Sequence, residues 1–291
     1  MAVSFVVTGF LGSGKTTFIL NSVRNHLKDK RVAIIVNEFG EIGVDGKVLK
    51  NVYSEVVEIE EGCICCKLTK EFEEAVLNLL GEYNPDIIMV ETSGTSEPFP
   101  VVFSLKMLNV PVEGIICLID SKNFNKYSEE STALYQIGSS NIIVLNKTDL
   151  IEEENLKEIE EEIRRIKESY RIENMFVKED KKLIYKIYRS SYGTVPQEVF
   201  MGTGTPLLVK ESFNKHKNTY KSKVLKIEED ISYEDFISLI NNLPDTVIRA
   251  KGIIKLKGFP APVPVNYIFG DIEFGEPFED YKGDYFLVLI G

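Results

Sequence analysis

Short, almost wholly apolar runs alternate with amphipathic stretches through the first two thirds of the chain. Ser4 to Thr8, Val32 to Asn37, Asp86 to Val90, Gly114 to Asp120 and Asn141 to Leu145 read as strands. Continuous apolarity marks strands covered on both faces, as in a parallel sheet. Between them Lys15 to Leu27, Thr69 to Tyr83 and Glu152 to Tyr170 read as helices. In the last of these, Leu156, Ile159, Ile163 and Ile166 form one stripe, and mixed charges form a solvated face. Asn174 to Val177 reads as one more short strand. Such alternation predicts an α/β domain with a doubly wound, mostly parallel sheet and right-handed crossovers.

The rhythm breaks after Gly193. Residues 203–222 are polar and locally basic and read as a linker. Beyond it, Tyr233 to Asn242 has helical spacing, and Val247 to Leu256, Val263 to Phe269 and Tyr285 to Ile290 have strand character. The expected organisation is a first domain over residues 1–202 and a smaller α+β domain over residues 223–291.

Composition narrows the classes. The chain has 291 residues, is 44% hydrophobic and 27% charged, and carries a net charge of −11. An acidic chain lacks the cationic footprint that a nucleic-acid coat or an anionic membrane requires, so neither is an expected partner. The longest apolar runs fall far short of the roughly 18 residues that cross a bilayer. MAVSFVVTGF carries no basic leader, which predicts a cytoplasmic location. Three of the four cysteines fall at 63, 65 and 66, and in a reducing compartment such clustering points to metal or redox chemistry before a structural disulfide.

The sharpest local signal is Gly9-Phe10-Leu11-Gly12-Ser13-Gly14-Lys15-Thr16-Thr17, a G-x-x-x-x-G-K-[ST] loop between a strand and a helix. Its glycines allow successive N–H groups to face phosphate oxygens. Gly12, Ser13, Gly14, Lys15, Thr16 and Thr17 are the expected nucleotide contacts, with Lys15 on the β- and γ-phosphates and the Thr16 hydroxyl on Mg²⁺. Asn146-Lys147-Thr148-Asp149 follows another strand in the N-K-x-D arrangement. The Asp149 carboxylate only accepts hydrogen bonds, and guanine offers the matching N1–H and 2-amino donors, which adenine lacks. Lys147 is expected over the ring and Asn146 as a tether.

Two acidic segments suit catalysis. Glu91 ends a strand beside the phosphate loop, where the commoner residue is Asp, and is placed to hold Mg²⁺; Gly94 follows for close approach to the γ-phosphate. Residues 37–46 hold Glu38, Glu41 and Asp45 among glycines and suit a loop that orders around Mg²⁺ and the γ-phosphate. Glu38 and Asp45 are candidates to orient the attacking water. Gly62-Cys63-Ile64-Cys65-Cys66 offers three soft thiolates. A tetrahedral site needs a fourth ligand, which Glu38, Glu41, water or a client's side chain could supply. Buried small residues and a redox pair are the alternatives. Cys117, alone in an apolar strand, reads as core.

Taken together, GFLGSGKTT, NEFGEIGVDG, GCICC, ETSG with Glu97-Pro98, and NKTD resemble the CobW-type GTPases of the CobW/HypB/UreG group. The resemblance continues at Ile248-Arg249-Ala250-Lys251-Gly252 and at Leu287 to Gly291, so only the linker is weakly covered. It implies slow, Mg²⁺-dependent GTP hydrolysis coupled to delivery of Zn²⁺, Co²⁺ or Ni²⁺, Zn²⁺ first, to a client metalloprotein or cofactor-assembly protein. It also implies a metal site at Cys63, Cys65 and Cys66. The alternative is a GTP-dependent interaction scaffold with structural cysteines. Many relatives carry a His-rich stretch near the domain junction; here that region holds only His216, which argues against metal buffering. The oligomeric state, a homodimer included, is left open.

Overall fold

The computed structural model describes residues 2–38, 56–60, 67–169, 185–201, 222–244, 246–279, 281 and 284–290. The first domain is built on β1 (Val3–Thr8), β2 (Val32–Glu38), β3 (Val56–Glu60), β4 (Ile87–Glu91), β5 (Val112–Asp120), β6 (Ile142–Asn146) and β7 (Lys186–Arg189). These pair in the order β3-β2-β4-β1-β5-β6-β7, and every pairing is parallel. The chain runs outward from β1 to β3, returns to β4, and then runs the other way through β5 to β7. Strand order therefore reverses around β1, where open α/β sheets bind ligands beyond their carboxyl ends.

The period-two alternation of side chains explains the two layers of helix. Phe5 and Val7 of β1 point to one face, where Phe18, Ile19 and Val23 of α1 (Lys15–His26) cover them. Val6 points to the other, beneath Phe72 and Val76 of α2 (Lys67–Asn78) and Leu105 of α3 (Phe99–Met107). The last turn of the expected Thr69 to Tyr83 helix is wider, a π-type turn over Leu79–Tyr83. Next to α4 (Ser131–Ser139), the stripe of α5 (Glu153–Ser169) buries Leu156, Ile159, Ile163 and Ile166 as its spacing predicts.

The pattern of apolar runs leaves several elements unannounced. β3 is a sheet edge whose sequence mixes valines with Glu58 and Glu60. α3 has apolar residues all round, with Lys106 its one charge, and opens on Pro98 and Pro100, so no stripe marks it. The expected strand at Asn174 to Val177 lies outside the described residues; the seventh strand is β7, paired with β6.

The second sheet is antiparallel, ordered β11-β10-β9-β12-β8. Its strands are β8 (Ser222–Ile227), β9 (Arg249–Ile254), β10 (Val263–Ile268), β11 (Asp271–Phe274) and β12 (Tyr285–Ile290). The expected linker, residues 203–222, lies outside the described residues except Ser222, where β8 begins. One face of this sheet carries α6 (Tyr233–Asn241), with Phe236 and Ile240 packed on Ala250, Ile254, Val265 and Leu287. Ser232 caps α6 by accepting from the Asp235 N–H at 3.0 Å. Gly252 is required where β9 meets β12: a Cβ there would lie 1.8 Å from the Phe286 carbonyl oxygen.

The opposite face packs on the first domain. Ile253, Ile268, Phe286, Val288 and Ile290 share one apolar cluster with Phe10, Leu11, Ile119, Phe124 and Tyr127. Phe10, Tyr127 and Phe269 stack, with Phe10 and Tyr127 ring centres 4.8 Å apart. Lys122 Nζ lies 2.8 Å from Asp271 Oδ2, and Lys126 Nζ donates to the Phe269 carbonyl at 3.0 Å. The second domain thus sits beside the phosphate loop.

Candidate functional site

The phosphate loop joins β1 to α1. Gly14 stands at the helix entry with φ +92°, and a Cβ on it would lie 2.5 Å from Asn146 Nδ2, so both conformation and space demand glycine. Lys15 is buried, and its Nζ donates to the carbonyls of Gly9 at 2.8 Å and Phe10 at 3.2 Å. Burial pushes its ammonium down to about 8; Glu91 pulls upward, and Arg249 and Lys251 push further down. Ser13 is buried, its N–H donating to the Phe10 carbonyl at 3.3 Å and its carbonyl accepting from Asn146. Thr17 is exposed on the cleft lining.

Thr16 and Glu91 come together across 75 residues. Thr16 Oγ1 donates to Glu91 Oε1 at 3.1 Å and lies 3.2 Å from Oε2. A buried carboxylate beside a hydroxyl, both on the cleft, is a hard-oxygen donor set, and it fits Mg²⁺ bound with water and phosphate. Gly94 packs against the loop: a Cβ would lie 2.6 Å from Leu11 Cδ2 and 2.9 Å from Leu11 Cα.

The second motif folds onto the first. Asn146, buried at the end of β6, donates from Nδ2 to the Ser13 carbonyl at 2.9 Å and accepts at Oδ1 from the Gly193 N–H at 2.9 Å. Lys147 adopts φ +59°, and its Nζ lies 3.0 Å from Asp120 Oδ2 and 3.8 Å from Glu273 Oε1. Asp149 is exposed at the cleft. The cleft that these residues line has a volume of about 600 Å³, and pockets of about 300–1,000 Å³ hold ligands of this class.

Glu38 closes β2 with its backbone beside Glu60 of β3. Glu41, Asp45, Cys63, Cys65 and Cys66 lie outside the described residues. The cysteines are bracketed by the end of β3 and the start of α2. Among the described residues, no group of three or more His, Cys, Asp or Glu side chains could hold a metal ion. Cys117 is buried in β5, and burial pushes its thiol up to about 12, so it is core, as expected.

Local sequence reading misses half of the cleft wall. Tyr192, on the turn after β7, lines it, as do Arg249 and Lys251 of β9, Asn266 of β10 and Glu273 of β11. The one available signal is the alternation in Ile248-Arg249-Ala250-Lys251-Gly252, which puts both cations on one face of a strand.

Fold and loop define a P-loop nucleotide-binding protein. The CobW/HypB/UreG nucleotide-binding domain matches residues 3–174, and the cobalamin synthesis protein cobW C-terminal domain matches residues 220–291. The chain belongs to the CobW/HypB/UreG family of P-loop GTPases. It is 35% identical over 192 residues to the zinc chaperone CobW of a Sinorhizobium species, a match spanning 54% of each chain. With the zinc chaperone YjiA of Escherichia coli it is 26% identical over 98% of this chain and 92% of that one. The crystal structure of the Zn(II)-bound YjiA GTPase from E. coli aligns over 100% of this chain and 94% of that one, with a TM-score of 0.47 and 19% identity. Among the described residues, no helix is long and apolar enough to cross a membrane.

Proposed function

We propose that this protein is a GTP-hydrolysing zinc chaperone that passes its metal to a client metalloprotein or cofactor-assembly protein. The observation that carries the nucleotide half is the Asn146–Ser13 hydrogen bond, which joins the N-K-x-D loop to the phosphate loop. A single ligand that spans both motifs is a guanine nucleotide. Its N1–H and 2-amino group donate to Asp149, and Lys147 covers the ring. Its phosphates take the place of the Gly9 and Phe10 carbonyls as partners of the Lys15 ammonium.

Thr16 and Glu91 would hold Mg²⁺, which would supply charge neutralisation during phosphoryl transfer. Gly94 lets the backbone approach the γ-phosphate, and Glu38 or Asp45 orients the attacking water. Zinc is the cargo. Cys63, Cys65 and Cys66, with Glu38 or Glu41, are the ligands; thiolates suit Zn²⁺. The ends of β2 and β3 lie side by side, with Glu38 paired to Glu60. Such thiols stay reduced in a cytoplasm, the compartment this reading requires.

The hydrolytic half is tested by phosphate release with GTP and with ATP. The wild type turns over GTP selectively, and Lys15→Ala abolishes turnover. Equal use of ATP, or unchanged turnover in Lys15→Ala, overturns the reading.

A further inference from the structure

Side chains of β9 alternate between the two faces of the second sheet. Ala250 and Ile254 pack on α6. Arg249, Lys251 and Ile253 take the other face, opposite Ile290, Val288 and Phe286 of β12 and Ile268, Asn266 and Pro264 of β10. That face is apolar where it meets the first domain, through Ile253, Ile268 and Phe286. Over the cleft it changes character and presents two adjacent cations, beside the phosphate loop.

The sheet is seated closely enough for those cations to matter. A Cβ on Gly12 would lie 2.3 Å from Ile268 Cδ1, so β10 rests directly on the loop backbone. Lys251 is buried, and Arg249 Nε donates to Asn266 Oδ1 at 3.3 Å, which orients the guanidinium. Arg249 pairs in register with Ile268, the residue that meets Gly12, so the cation lies one strand from the loop. Lys15, Arg249 and Lys251 line one cleft together with the Glu91 carboxylate. A cleft lined by several cations draws in a polyanion in preference to a neutral ligand.

We propose that Arg249 and Lys251 are phosphate-binding residues, so that the second domain forms one wall of the nucleotide site and reads the terminal phosphate directly. The inference rests on the GTP reading above and deepens it. Loss of the γ-phosphate removes a charge that this wall holds, which gives hydrolysis a route to the second domain that does not pass through residues 37–46.

The test is calorimetric titration of the full chain with GMPPNP, GDP and GMP in the presence of Mg²⁺. Arg249→Gln/Lys251→Gln removes both charges and keeps a nitrogen donor at the place of Arg249 Nε for Asn266. It weakens GMPPNP by about 10- to 100-fold, GDP by less, and GMP hardly at all, since charge-assisted contacts are lost only where phosphates are. Equal affinities for GMPPNP in variant and wild type, or an equal loss for all three ligands, overturn the proposal while leaving the GTP reading intact. Failure of the wild type to bind GMPPNP overturns both. A second measurement needs no variant: modification of wild-type Arg249 by phenylglyoxal, located by mass spectrometry, is slowed by GMPPNP and less by GMP. Equal modification with and without GMPPNP contradicts the proposal.

Discussion

The Asn146 side-chain amide donates to the Ser13 carbonyl at 2.9 Å, tying the loop after β6 to the loop after β1. Its oxygen accepts from the Gly193 N–H at the same distance, so one buried amide holds three loops together. Asn146→Ala leaves a carbonyl and an N–H unpaired, which costs about 1–3 kcal/mol. The expected outcome is a loss of unfolding free energy in denaturant titration together with weaker binding of GDP and of GMPPNP alike. Unchanged stability and affinity would show that the amide is not the joint.

Base selectivity rests on Asp149, exposed on the cleft lining. Asp149→Asn turns one acceptor oxygen into a donor that faces the guanine donors. Xanthine carries an oxygen where guanine carries the 2-amino group, so the variant favours XTP over GTP. The loss for GTP is about 10- to 100-fold, the worth of a charged hydrogen bond. Competition between GTP and XTP for variant and wild type checks this, and retained GTP preference contradicts it.

Lys15 links nucleotide binding to protons. Burial holds it down to about 8. Bound polyphosphate favours the charged form and restores the ordinary range, near 10.4. Between these values the free protein lacks the proton and the complex holds it. Binding there takes up a proton, and affinity falls as pH rises, by up to about tenfold per pH unit. Below about 8 both states are protonated, and this group imposes no slope. Calorimetry at about pH 9 in buffers of different ionisation enthalpy is expected to show uptake approaching one proton. Proton release, or no exchange, would contradict the account.

Gly252 lets β9 and β12 pair at close range: a Cβ would lie 1.8 Å from the Phe286 carbonyl oxygen. Gly252→Ala forces the strands apart beneath the cleft wall, at a cost of roughly 1–3 kcal/mol, the usual toll of overpacking. Thermal unfolding is expected to shift down, and GMPPNP binding to weaken because Arg249 and Lys251 move with β9. A variant as stable as wild type would mean that the sheet relaxes freely there.

The sequence made the phosphate loop and the N-K-x-D loop legible because each is a run of neighbours whose residue types meet local demands. The central strands were legible for a related reason: helices cover both faces, so their apolarity is continuous. Edge strand β3, with its glutamates, and α3, whose apolar residues go all round, carry no such signature. The second wall of the cleft was hidden for a different reason. Alternation puts Arg249 and Lys251 on one face of a strand, but only the docking of Ile268 and Phe286 against Leu11 and Phe10 decides what that face looks at. The joint between Asn146 and Gly193 was equally invisible, since 47 residues separate its partners.

The central claim is that the γ-phosphate sets the grip on zinc, and the most direct measurement is zinc affinity in two nucleotide states. Competition with a chromogenic chelator gives the Zn²⁺ dissociation constant of the full chain with Mg²⁺-GMPPNP and with Mg²⁺-GDP. The account predicts a difference of about 5- to 150-fold, the usual range of coupling between sites, abolished when Cys63, Cys65 and Cys66 are replaced by Ser. Equal zinc affinity in both states, or a difference that survives loss of all three thiols, would contradict it.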